Sequence, residues 1–394
     1  MKKSNLKIAV IGTGNRGCKY LTLLREAGAN IVAVADASSA RLRKAVEIAG
    51  DSCLTFPSAT QMLESGITPD AAIIATPERA HAADAMLLLD AGAHLLLEKP
   101  LATTLAECEA IAALAKKRNR IAGVCHVLRY HPYFEKLHEL ATCGKYGQTV
   151  SITHRINVGI DRACHTFVRG PWGDTAATSP LLLSKCCHDM DLLVWLTAST
   201  AANVASTGGR LFFRPENAPL HSADRCTACP IEQTCPYSAV DLYVRRGEWT
   251  AGFDGGTYRI AEALKNDPYG RCVFRCGNTT VDRQAVVTGF RSGVIATLTM
   301  NLFTATDNRD THICLTGGEI HGNGSVITVT PLKGQQEIHD FTDTVAKPFH
   351  AGADRRLILD FLNAASGNSA KMLADIDSAI ESHRICFAAI SAMQ

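Results

Sequence analysis

With 394 residues, 46% of them hydrophobic and 20% charged, the chain has the length for two domains and the composition of a folded globular protein, which excludes a disordered or fibrous one. Forty Lys plus Arg against 38 Asp plus Glu leave a formal net charge of +2, and no basic run stands out, so nucleic acid and membrane surfaces find no support as partners. The longest apolar stretches, such as 91–97, are far shorter than the roughly 18–20 residues that cross a bilayer. The glycine-interrupted N-terminus reads as a strand, with no signal peptide, and a cytoplasmic protein is expected.

Short strands and helices alternate through the first ~120 residues. "LKIAVIGTG" is a strand entering a glycine turn, and a helix follows. "NIVAVADA" is a second strand, residues 39–49 a second helix, "DAAIIATP" a third strand, "HAADAMLLLDAG" a third helix and "HLLLEKP" a fourth strand. "ECEAIAALAKKRNR" and "IAGVCHV" add one more helix and strand. Strict alternation implies a parallel, doubly wound Rossmann sheet over 1–123. Beyond it, "TVSITHRINVG", "QAVVTGFRSGVIATLTMNLF" and "HICLTGGEIHGNGSVITVT" alternate with period two. They predict an α+β domain over 124–394 with a large, mostly antiparallel open sheet, a Cys-rich loop insertion at about 213–280 and C-terminal helices over 354–394.

In "VIGTGNRG", Gly12, Gly14 and Gly17 have GxGxxG spacing between a predicted strand and helix, which suits close approach of a pyrophosphate to a helix N-terminus. Thr13, Asn15 and Arg16 lie in the same loop. Asp36 ends the second strand, where its carboxylate would accept hydrogen bonds from ribose hydroxyls and repel a 2′-phosphate, so NAD is favoured over NADP, with Arg41 as the competing feature. Thr76, Pro77, His81, Glu98, Lys99 and Pro100 lie at or just beyond strand C-termini, where open α/β sheets bind ligands.

The order GxGxxG, Asp36, "ATPERAHA", "EKPLA" and then a helix bearing "KCCHDMD" resembles the Gfo/Idh/MocA family. The resemblance implies a pyridine-nucleotide oxidoreductase of sugars or cyclitols, a homodimer or homotetramer through the open sheet, with Lys99 as the EKP lysine and His188 as the general acid/base. It also implies an Asp four residues before that histidine, and Ser184 stands there instead, with Lys185 supplying a neighbouring cation. Two alternatives stay open. One is redox-neutral glycoside cleavage through a 3-keto sugar with retained NAD; the other is a non-catalytic sugar or nucleotide sensor.

A continuous helix over 184–197 would put Ser184, Lys185, His188 and Asp191 on one face and keep Cys186 away from the histidine, which argues against a metal site there. His126, Arg129, Tyr130, His154, Arg155, Asn157, His165, Arg169 and Trp172 are further candidates for a polyhydroxylated substrate. Most of the 15 cysteines are scattered singly and read as small buried hydrophobes. In "RCTACPIEQTCPYSA", however, Cys226, Cys229 and Cys235, with Cys272 or Cys276 as a fourth ligand, predict a structural zinc site ahead of an iron–sulfur cluster.

Overall fold

A computed structural model describes residues 6–250, 257–346 and 348–393. Six parallel strands, β1 (Lys7–Ile11), β2 (Asn30–Ala35), β3 (Leu54–Phe56), β4 (Ala71–Ile74), β5 (His94–Leu97) and β6 (Ala122–Val124), form the first sheet in the order β3-β2-β1-β4-β5-β6. Its central strands are unbroken apolar runs because helices cover both faces. Those helices are α1 (Asn15–Glu26), α2 (Ser39–Ala49), α3 (Ala59–Glu64), α4 (His81–Asp90) and α5 (Leu105–Lys117). Side chains fix several starts: Ser38 caps α2, and Thr104 with Glu107 forms a capping box on α5. The strand order reverses between β1 and β4, which opens a crevice at their C-terminal ends.

Helix α6 (Pro132–Thr142) leads into an eight-stranded sheet of β7 (Thr149–Gly159), β8 (Ala201–Gly209), β9 (Arg283–Phe290), β10 (Ile295–Thr304), β11 (Asn308–Leu315), β12 (Gly318–Gly322), β13 (Val326–Pro331) and β14 (Glu337–Asp340). The order is β14-β13-β12-β11-β7-β10-β9-β8, antiparallel except for the β7–β10 pair. On β7, Ile152, His154, Ile156 and Val158 are buried while Thr153 and Arg155 face outward, so one face packs and the other is open.

The helix predicted over 184–197 is two helices, α7 (Leu181–Ser184) and α8 (Cys187–Thr197), broken at Lys185 and Cys186. The Cys186 carbonyl accepts from the Asp189 and Met190 amides and starts α8 afresh, so positions 184–191 do not share one helical wheel. Finally α9 (Ala353–Ala365) and α10 (Ile376–Ser391) close the chain. The last helix buries Ile376, Ala379 and Ile380 in the core on one face of the first sheet, and Ile385, Cys386 and Ala389 in a core to which strands of both sheets contribute.

Candidate active site

The glycine loop leaves β1 with three different backbone demands. Gly12 has φ +86°, and a Cβ on it would stand 2.5 Å from the Ala75 carbonyl and the Thr76 nitrogen. At Gly17 a Cβ would fall 1.9 Å from the Gly12 oxygen, so only glycine lets α1 start so close to the loop. Gly14 has nothing within 4 Å, which leaves backbone accessible at the α1 N-terminus, where a pyrophosphate would approach. Beside it, Asp36 Oδ2 accepts from the Thr13 amide (2.8 Å) and hydroxyl (3.2 Å), and Oδ1 accepts from the Ser38 amide (2.9 Å). An open cavity of about 540 Å³ is lined by Thr13, Gly14, Asn15, Lys19, Arg41 and Lys44 among others, and the Arg41 guanidinium lies 3.8 Å from Asp36.

Arg16 turns away from that cavity. It donates to Glu98, Tyr20 and, at 2.9 Å, Asp354 of α9, tying the glycine loop to the EKP segment. Burial alone would raise the Glu98 pKa, but the Arg16 guanidinium beside it holds the carboxyl below the ordinary range. Both His81 ring nitrogens face carbonyls, Pro100 O at 2.8 Å and Thr76 O at 2.9 Å, and the Thr76 hydroxyl donates to Asp84 at 2.9 Å. Thr76, Pro77, His81 and Glu98 therefore shape two adjoining strand-end loops, and the product of that shaping is the position of Lys99.

From there Lys99 Nζ donates to the Ser184 carbonyl at the α7–α8 break. His188 stands in the first turn of α8, half-buried, with Nδ1 sealed off and unpartnered. Burial first, then Lys99, His126, Arg309 and Lys185, push its pKa well below the usual imidazole value, which favours the neutral ring. Lys185 is pushed down to about 8, chiefly by burial and then by Arg309 and Arg162.

Residues 6–126 match the model of the oxidoreductase family with an NAD-binding Rossmann fold, Gfo/Idh/MocA. The N-terminal Rossmann unit is that of the Gfo/Idh/MocA family. Inositol 2-dehydrogenase 1 of Saccharopolyspora erythraea is 30% identical over 204 residues, covering 50% of this chain and 56% of the relative. UDP-N-acetylglucosamine 3-dehydrogenase of Acidithiobacillus ferrooxidans is 26% identical over 209 residues, covering 52% and 58%. The matches thus span a little over half the length of these relatives. An oxidoreductase from Agrobacterium radiobacter, solved with NAD+, L-tartaric acid and magnesium, superposes with a TM-score of 0.73 over 98% of this chain and 96% of that one; at 14% identity this is likeness of fold.

Several of the expected substrate ligands are committed elsewhere. Asp191 is fully buried and takes two hydrogen bonds from Arg129, whose remaining nitrogen donates to Leu373 O and Ser378 Oγ. Tyr130 donates to Asp360 at 2.6 Å and accepts from the Ala374 amide. Asn157 lies on the β7 side opposite His154 and pairs with Asn301 and Asn308. His165 bonds Tyr243, stacks on Tyr269 at 4.5 Å and is pushed down to about 4, chiefly by burial. Arg169 is wholly buried against Tyr237 O. Only His126 stays beside His188, its ring 5.6 Å away. Two neighbours escaped the sequence reading: Asp189, not Asp191, faces the Lys185 side of the site, and Arg309 of β11 donates to it at 2.6 Å while His154 bonds its Oδ1 at 3.0 Å.

The expected zinc or iron–sulfur site finds no support among the described residues. Cys226, Cys229, Cys235 and Cys272 do line one small cavity, of about 20 Å³, while Cys276 bonds the Val168 carbonyl instead. Yet among the described residues no group of three or more His, Cys, Asp or Glu side chains could hold a metal ion. Burial raises the Cys235 and Cys272 thiols.

Proposed function

We propose that this chain is an NAD-dependent dehydrogenase that takes a hydride from a ring hydroxyl of a sugar or cyclitol. The observation that carries the reading is the convergence of Lys99 and His188 at the α7–α8 break, with the neutral form of the histidine favoured by its surroundings. NAD, when bound, supplies the hydride acceptor. The open backbone at Gly14 and the Asp36 carboxylate fit its pyrophosphate and adenosine ribose. His188 accepts the hydroxyl proton through the ring nitrogen that is not sealed off, and the Lys99 ammonium stabilises the oxygen as it gains negative charge. Lys185 adds to the positive field there. The relatives named as inositol and UDP-N-acetylglucosamine dehydrogenases support a cyclic polyol as substrate. Assembly through the open sheet face is part of the same reading, supported by the exposed Val287, Ile295 and Phe303 on it. No described helix is long and apolar enough to cross a membrane.

The test is a panel of inositols, hexoses and nucleotide sugars incubated with purified protein and NAD+, read by NADH absorbance. Turnover of at least one ring polyol, lost in His188→Ala and in Lys99→Met, is expected; NADH formation that survives both substitutions would sink the proposal.

A further inference from the structure

His126 is an anomaly in this core. Its ring is wholly buried, and neither Nδ1 nor Nε2 has a hydrogen-bond partner, although buried polar atoms are nearly always paired. It faces His188 edge-on, with ring centroids 5.6 Å apart, and His383 at 5.7 Å. Its Nε2 lies 3.8 Å from Asp191 Oδ1. The charged groups around it are Asp191 and its partner Arg129, Lys99 and Glu98. His188 Nδ1, also buried and unpartnered, completes a pair of imidazoles that each lack a partner. The Ser184 hydroxyl, at the position where the resemblance implied a carboxylate, donates to the Pro180 carbonyl at 3.3 Å.

We infer that His126 is the positioning residue for His188: it fixes the base's tautomer through Nδ1 and passes charge from His188 toward Asp191 during turnover. This rests on the dehydrogenase reading above. When the substrate proton reaches the accessible nitrogen of His188, closure of the two rings into hydrogen-bond contact lets the Nδ1 proton pass to His126 Nδ1, and the proton on His126 Nε2 shifts toward the Asp191 carboxylate. No atom or electron is gained or lost in the relay. The positive charge leaves the neighbourhood of Lys99, Lys185 and Arg309 for a carboxylate, and the reverse shift resets the pair. His383 cannot take this part, because its Nε2 already accepts from the Leu101 amide and its Nδ1 faces Ala379 O.

The experiment pairs a spectroscopic and a kinetic arm on the full chain. Nitrogen-15 imidazole spectra of wild type, His126→Phe and His126→Gln, each with NAD+ present, report the tautomer of His188. Phe should convert His188 from one tautomer to a mixture, while Gln, which keeps a hydrogen-bonding group, should restore most of it. With whichever polyol the panel shows to be turned over, Phe should lower kcat at least tenfold with KM changed less than threefold. An unchanged His188 spectrum in His126→Phe overturns the inference even if no polyol is turned over. A uniform loss of both kcat and folded protein in Phe, with an unaltered His188 tautomer in Gln and in wild type at every pH, also overturns it in favour of simple packing.

Discussion

Arg129 and Asp191 meet in a fork, Nε to Oδ2 and Nη2 to Oδ1, each 2.8 Å, with both side chains buried. The pair ties α8 to the turn after β6 and so sets where the start of α8, with His188, stands relative to Lys99. Removing one partner leaves a buried charge alone, which costs about 3–5 kcal/mol. Asp191→Leu is therefore expected to lower the thermal midpoint sharply and Arg129→Met nearly as much. The double variant should recover part of the loss, since an apolar pair leaves no uncompensated ion. Scanning calorimetry of the three proteins checks the order.

Two glycines one turn apart should behave in opposite ways. Gly17→Ala places a Cβ into the Gly12 carbonyl and is expected to lower the thermal midpoint of the cofactor-free protein. Gly14→Ala meets nothing within 4 Å, so its midpoint without cofactor should equal wild type. Its NADH affinity should nevertheless fall at least about tenfold, because the methyl occupies the approach of the pyrophosphate. Fluorescence titration with NADH decides it.

Cofactor choice turns on Asp36. Arg41 and Lys44 already line the cavity beside it, so a 2′-phosphate has cations waiting and one carboxylate opposing it. Asp36→Ser should raise the NADP+ to NAD+ ratio of kcat/KM by about tenfold or more. Parallel assays with the two cofactors measure it, and an unchanged ratio would place the adenosine ribose elsewhere.

Lys185 carries a pH signature. Its pKa falls from 10.5 unfolded to about 8 folded, so between those values the unfolded chain binds more protons and stability rises with pH. The penalty for holding the ammonium is complete below about pH 8 and fades as pH climbs to 10.5. At 1.36 kcal/mol per pKa unit, reduced for its residual exposure, it is on the order of 1–3 kcal/mol. Lys185→Met should accordingly stabilise the protein at pH 7 and gain much less at pH 10, measured as the difference in thermal midpoint.

Much of this architecture was readable because burial on both faces makes a strand a continuous apolar run, as in β4 and β5. Strand β3 and helix α3 were not, since β3 has three residues, lies at the sheet edge and exposes Leu54. Helix α6, which opens on a proline, was passed over as well. Lys99 and His188 were singled out through their motif context, and both stand at the α7–α8 break. Helical phase failed at Ser184 and Lys185 because the backbone breaks there, and at Asp191 because the acids of α8 are claimed by Arg129 and Arg309, 62 and 120 positions distant. The cysteine loop has ligand spacing, but spacing alone does not show a bound metal.

Gly123 bridges to Asp375, and α10 then lays Ile376, Ala379 and Ile380 against the sheet that Lys7 began. A ribosome releasing this chain in order has extruded every strand of the Rossmann sheet long before the piece that seals its last edge emerges. The nucleotide-binding unit is therefore not an excisable N-terminal module: a fragment ending near residue 126 would present a naked apolar seam to solvent, and expressing it alone should yield aggregate where the full chain yields folded protein.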